Sequence, residues 1–262
     1  MANTTAPDPY LSRRSVARAL AGAGSIAADA EAEELIAAAA GEREVLADLV
    51  GRRRRGEPVA WLTGAVTFCG LRIAVDPGVY VPRPWTETLA QRAASVLPPD
   101  GVAVDLGTGS GAIAAVLAAA APDARVLATD VDPVAVACAR RNGVDARSGS
   151  LDEPLPRELE GRIDVLTAVV PYVPTDDLPF LPRDVQAFEP RRALDGGADG
   201  SDVLREAARR APRWLRPGGR LFLELGGDEA VPIGRLLREL GASEVEVVVD
   251  EDGDSRGVAA RL

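Results

Sequence analysis

Residues 102–114 read VAVDLGTGSGAIA. Val102 to Leu106 is an apolar run of buried-strand type, broken only by Asp105 near its end. Gly107, Gly109 and Gly111 follow at alternate positions, where missing Cβ atoms permit a tight turn and close approach of backbone to a ligand. Ala112 to Ala121 then reads as a helix, being built almost entirely of good helix formers. Strand, glycine turn and helix in this order open a parallel α/β unit, in which ligands bind beyond the carboxyl ends of the strands.

Working outward, the same alternation continues. Arg125 to Thr129 is predicted as a strand closed by Asp130, Pro133 to Asn142 as a helix, and Ile163 to Val170 as a strand. Asp202 to Trp214 is predicted as a helix, Arg220 to Leu225 as a strand and Ile233 to Leu240 as a helix. Two closing strands, Val245–Val249 and Val258–Arg261, form an edge hairpin. Upstream, Glu87 to Leu97 is helical. Residues 61–68 and 71–75 read as strands around Cys69-Gly70, followed by the turn signal Asp76-Pro77-Gly78. Leu11–Ala21, Ala30–Ala40 and Glu42–Arg54 read as helices punctuated by glycines. The expected domains are a helical N-terminal domain at 1–56, a β-hairpin linker at 57–81 and a Rossmann-like α/β domain at 82–262.

Two strand-end acids point to the ligand. A dinucleotide pyrophosphate favours bare backbone amides, whereas Asp105 suits a ligand that carries an amino group. Asp130, one strand on, is placed to accept hydrogen bonds from two ribose hydroxyls. The pair favours S-adenosylmethionine (SAM) over NAD as cofactor.

Composition restricts the chemistry. The chain has 262 residues, 47% hydrophobic and 27% charged, enough to bury a sizeable core. It contains 0 histidines, and all 30 cations of the Lys+Arg total are arginine. A Ser-His-Asp triad, a histidine-based zinc site, a Schiff base and a P-loop lysine are all excluded. No metal site is expected. The net charge of −10 argues against nucleic-acid partners. Cys69 and Cys138 stand alone, outside any CxxC, which fits a reducing cytoplasm. The polar start MANTTAPDPYLSRRS lacks the apolar core of a signal peptide, and no stretch is apolar enough to be a membrane candidate.

Several further stretches carry a resemblance. Gly56-Glu57-Pro58-Val59-Ala60-Trp61 precedes the hairpin, and VPRPWTE (81–87) precedes the first helix of the α/β domain. DLGTGSGAIA, TDVDPVAVACARRN, EPRRALDGG (189–197), WLRPGGRLFLELG and a terminal D-x-x-G-x-x-R follow in order. Residues 57–262 thereby resemble the HemK/PrmC-type protein-glutamine N5-methyltransferases, whose extra helical domain matches the N-terminal region in size and place. The resemblance implies a class I SAM-dependent methyltransferase fold. It implies SAM contacts from Asp105, Leu106, Gly107, Thr108, Gly109, Gly111 and Asp130. Leu151 falls near the position where the family often sets an aromatic against the adenine. Arg83, Trp85 and Val170 are candidate substrate contacts. Glu189 and Arg191 are expected to brace a loop over the site.

Where the family carries Asn-Pro-Pro-Tyr, this chain has Val169-Val170-Pro171-Tyr172. In the family the asparagine oxygen and a neighbouring carbonyl accept the two N–H bonds of the substrate amide and turn its nitrogen toward the methyl group. Val169 offers no acceptor. Val169, Pro171 and Tyr172 are therefore the candidate catalytic positions, with a substrate other than release-factor glutamine expected. A small molecule of specialised metabolism, or another amine or hydroxyl, is one such substrate. Two other readings keep SAM without methyl transfer: a displacement such as ring closure, and a non-catalytic SAM-binding partner subunit.

Overall fold

The computed structural model describes residues 12–226, 229–250 and 252–262. The first eleven residues of the expected N-terminal domain lie outside this range. The described chain divides into two compact units.

The smaller unit comprises the chain up to Ala65 together with Pro182–Phe188. Its helices are α1 (Arg13–Ala21), α2 (Ala28–Ala38), α3 (Arg43–Arg54) and α4 (Val59–Thr63), joined by a later helix, Arg183–Phe188. Val16, Leu20, Ala32, Leu35, Leu46 and Leu49 recur at helical spacing and form its buried core. Arg53 donates two hydrogen bonds to Glu31, at 2.9 and 2.8 Å, tying α3 to α2. The expected strand at 61–68 begins later than its apolar character suggests. Pro58 caps α4 and Gly64, at φ +76°, ends it, so Trp61 is buried from a helix.

The larger unit comprises Val66–Leu181 and Glu189–Leu262. It begins with the hairpin β1 (Ala65–Phe68) and β2 (Leu71–Ala74), followed by α5 (Thr86–Val96). The alternating elements are β3 (Val102–Leu106), α6 (Ala112–Ala120), β4 (Arg125–Asp130), α7 (Pro133–Arg141), β5 (Asp145–Ser148) and β6 (Ile163–Ala168). After the helix Arg183–Phe188, which is α8, come α9 (Asp202–Trp214), β7 (Leu215–Glu224), α10 (Ala230–Glu239), β8 (Glu244–Val249) and β9 (Ser255–Arg261).

The seven strands run in the order β5-β4-β3-β6-β7-β9-β8. The first five are parallel, and β9 pairs antiparallel with both β7 and β8. This is the Rossmann-like α/β domain with the edge hairpin expected from the last two strands. Leu204, Ala207, Ala208, Ala211 and Trp214 of α9 pack on one sheet face. Leu89, Ala90 and Ala93 of α5 pack on the other, with Ile113 and Leu117 of α6. Strand order reverses between β4 and β6, on either side of β3, so a crevice opens beyond their carboxyl ends.

Two local differences bear on the crevice. The short edge strand β5 has the polar sequence DARS, whose four residues carry no readable alternation. β6 stops at Ala168, not Val170, so Val169 and Val170 belong to the loop beyond the sheet.

Candidate active site

The site is built where β3, β4 and β6 end. Asp105 is 1% exposed and accepts hydrogen bonds from the Thr108 hydroxyl at 2.6 Å and the Thr167 hydroxyl at 2.7 Å. Thr167 sits on β6 directly across from Asp105 in the parallel register. Burial pushes the Asp105 carboxyl up to about 6, against the pull of those two hydroxyls and helped by nearby Asp130. Among the described residues no cation pairs with it. It is a buried charge facing a cleft without a counter-ion.

The glycine loop hangs from β4. Gly107 and Thr108 donate backbone N–H bonds to the Thr129 carbonyl, at 2.9 and 3.0 Å. Gly109 N–H donates to one oxygen of Asp130 and Asp132 N–H to the other, both at 2.8 Å. Asp130 therefore braces the loop while keeping further lone pairs for a ligand. Asp132 caps α7 through Val134 N–H, with Pro133 at the first helical position. Asn142, at the other end of α7, donates to the Ser110 carbonyl at 2.8 Å and exchanges two 2.9 Å bonds with the Ala74 backbone. One side chain thus locks hairpin, loop and helix together.

Gly107 adopts φ +68°, and a Cβ there would stand 2.6 Å from the Val169 carbonyl oxygen and 3.2 Å from Val170 Cγ1. The glycine is what lets the loop lie against the β6 end. Gly107→Ala combines left-handed strain with that clash, and is expected to destabilise the protein by about 2–4 kcal/mol, read as a drop in Tm. An unchanged Tm would refute the close approach. Gly109, at φ +56°, has no atom within 4 Å of where its Cβ would be, because that side opens into the cleft.

The cleft has a volume of about 290 Å³. Of the residues proposed from sequence, Asp105, Gly107, Thr108, Gly109, Asp130, Leu151, Arg83, Val169, Val170, Pro171 and Tyr172 line it. Leu106, Gly111 and Trp85 are not among the lining residues. Leu106 is turned into the core. Gly111 packs against Ala139 and Val144, leaving only 3.0 Å for a Cβ. Trp85 stands at the start of α5, 36% exposed, with the Arg256 guanidinium 5.3 Å over its ring. Leu151 holds a left-handed φ of 46°, and its carbonyl accepts the Thr129 hydroxyl at 2.7 Å.

Arg83 lines the cleft with its charge already engaged. It donates to Glu189 at 2.6 Å and to the Tyr80 hydroxyl at 3.2 Å, with its guanidinium 4.7 Å over the Tyr80 ring. Glu189 is buried, so the pair fixes the segment 80–85 against the start of 189–197. Arg191 of that segment pairs with Asp195, whose other oxygen accepts the Thr175 hydroxyl. Arg192 approaches Asp132 at 3.6 Å.

Sequence reasoning missed Thr167, Tyr80, Thr86 and Glu224. Thr167 and Glu224 sit inside apolar strands, where a lone polar residue at the carboxyl end is itself a readable signal. Tyr80 precedes the VPRPWTE stretch and Thr86 lies within it, and neither carried one. Glu224 is 1% exposed and burial pushes it up to about 7, opposed by the Thr86, Tyr172 and Trp85 side chains and by the Arg83 charge. Tyr172 is held above the ordinary phenol range by burial and by its neighbours Tyr80 and Glu224.

A family model described as "Methyltransferase small domain" matches residues 72–150, from β2 of the hairpin to just past β5. The release factor glutamine methyltransferase of Geobacter sulfurreducens is 38% identical over 220 residues, covering 82% of this chain and 76% of that one. That of Moorella thermoacetica is 42% identical over 226 residues, covering 84% and 78%. Among solved structures, a release factor-specific protein-(glutamine-N5) methyltransferase from Alicyclobacillus acidocaldarius superposes with a TM-score of 0.44 at 28% identity, covering 69% of this chain and 93% of that chain.

Proposed function

The chain belongs to the release factor glutamine methyltransferase (HemK/PrmC) family, and on that premise we propose that it methylates a nucleophile other than a primary carboxamide. It is a SAM-dependent methyltransferase of that type. The observation that carries the finer reading is Val169. It stands just past the end of β6, on the cleft wall, with an aliphatic side chain where a carboxamide substrate needs an acceptor.

The residues present suit SAM. Asp105 offers a buried carboxylate that lacks a cation and fits the amino group of the cofactor. The open side of Gly109 gives backbone access, and Asp130 offers its remaining lone pairs to the ribose hydroxyls. When bound, SAM supplies a methyl group already activated by the sulfonium charge. What the chain adds is placement. A nucleophile held against Val169, Val170, Pro171 and Tyr172 is kept from rotating, which converts a bimolecular encounter into an oriented one. Tyr172 is the residue of that wall with a polar side chain. The missing histidine is no obstacle, since the leaving group needs no proton.

A nucleophile that suits this wall is a more basic nitrogen or an oxygen, whose lone pair is not delocalised into a carbonyl. The isolated thiols Cys69 and Cys138 support a reducing cytoplasm as the setting. Among the described residues no helix is long and apolar enough to cross a membrane.

The test is label transfer from methyl-labelled SAM, with a release-factor peptide carrying its glutamine in one arm and a panel of small amines and hydroxyl compounds in another. We expect no label in the glutamine side chain. Label there at the rate of the S-adenosylhomocysteine formed would overturn the reading.

A further inference from the structure

Methylating a neutral N–H or O–H nucleophile leaves a surplus proton, and the cleft wall must dispose of it. Asp105 lies on the cofactor side, held by Thr108 and Thr167. Glu224 lies elsewhere. It ends β7, one residue past Leu223, which pairs with Ala168 at the end of β6. That places it level with the Val169 position on the neighbouring strand. The side chain is fully buried, and neither oxygen has a hydrogen bond of good geometry. The Thr86, Tyr172 and Trp85 side chains are its hydrogen-bonding neighbours and favour its charged form.

We infer that Glu224 is a positioning residue for methyl transfer, holding the Tyr172 hydroxyl in place and receiving through it the proton that the nucleophile releases. This rests on the methyltransferase reading above, with Tyr172 facing the substrate. In the step, the nucleophile's lone pair forms the new bond to the methyl carbon. The bond that breaks is the carbon–sulfur bond, whose electrons return to sulfur. The electrons of the N–H or O–H bond stay on the nucleophile. Its proton passes to Tyr172 Oη, and the proton of that hydroxyl passes to a Glu224 oxygen. One positive and one negative charge disappear together, and the phenol ends as it began.

The surroundings suit this role. A carboxyl that titrates near neutrality both takes a proton and returns it to solvent between turnovers. A phenol held above its ordinary range passes a proton on without remaining ionised. The charged and titratable groups around the pair are Tyr80 and Arg83 before α5, Glu189 beside Arg83, and Arg256 on β9. Arg83 is held by Glu189 and Tyr80, so Glu224 keeps a cation nearby but not in contact.

The experiment has two arms. In the first, carboxyl-labelled glutamate is followed by NMR in the cofactor-free protein. One carboxyl is expected to titrate near pH 7, to vanish in Glu224→Gln and to shift to higher pH in Tyr172→Phe, which removes a donor to the charged form. A midpoint below about 5, or one that Tyr172→Phe leaves in place, overturns the inference. In the second, label transfer to the release-factor glutamine peptide is measured against pH, using wild type or Val169→Asn/Val170→Pro, whichever transfers label. Adding Glu224→Gln is expected to lower kcat by roughly 100-fold and to remove the loss of rate below pH 7, leaving the Kd for SAM within twofold. An unchanged kcat, or an acid limb that persists, overturns it. If neither protein labels the peptide, the expectation that an acceptor at 169 restores glutamine methylation is what has failed, and the NMR arm alone decides for Glu224.

Discussion

Asp105→Asn is expected to weaken SAM binding by roughly 30- to 150-fold while making the cofactor-free protein more stable. The loss is that of a buried charge-assisted hydrogen bond to the cofactor's amino group, about 2–3 kcal/mol. The gain follows from linkage. Burial raises the folded-state carboxyl from its ordinary range to about 6. Such a group contributes stability that is full below the unfolded value near 4 and is lost as pH rises through 6. At pH 8 the cofactor-free wild type therefore carries a penalty of about 2–3 kcal/mol from this one group. Asparagine has no charge to desolvate, but one threonine hydroxyl must turn to accept from its NH₂. The net gain is expected to be about 1–2 kcal/mol at pH 8, fading toward pH 4. Calorimetric titration with SAM and thermal unfolding at the two pH values measure both halves. Wild-type affinity should also fall as pH drops below 6, where the carboxyl protonates. A variant that binds SAM as tightly as wild type removes Asp105 from the cofactor site.

Val169→Asn/Val170→Pro is expected to create glutamine methylation. The asparagine oxygen supplies the acceptor that the aliphatic wall lacks, and proline restricts residue 169 to extended backbone, aiming that oxygen into the cleft. The one oriented hydrogen bond added to a carboxamide is about 1–3 kcal/mol, or roughly 5- to 150-fold in kcat/KM. Val169 already donates its N–H to the Leu106 carbonyl at 3.3 Å, so the loop is anchored before the substitution is made. Methyl label entering the peptide roughly 5- to 150-fold faster with the double variant than with wild type is the expected result. Equal labelling by both would show that the acceptor at 169 is dispensable and that another group orients the amide.

Much of the site was legible in the chain because its parts are local. The glycine loop and the strand-end acids are each written as a short contiguous pattern, and their chemistry survives translation into one dimension. The Val169 departure was legible for the same reason, as a gap in a contiguous motif. What could not be read was which distant segments meet. Trp85 was a fair candidate for the cleft from its place in VPRPWTE, yet α5 begins at Thr86 and leaves its ring outside the cleft under Arg256. The strand at β5 was missed because three polar residues and one alanine at a sheet edge owe their pairing to β4, not to their own pattern.

By itself, then, the sequence determined the layer architecture, the place of the ligand crevice and the absence of imidazole and amine chemistry. Hydrophobic period, turn residues and residue types settle those within single segments. Only the tertiary structure decided that Thr167 faces Asp105, that Arg83 is bound by Glu189, 106 residues away, and that Glu224 comes level with Val169. Those contacts arise from strand register and crossover, which bring remote positions within hydrogen-bond reach. Burial then alters their proton affinities in ways that no side chain carries in isolation.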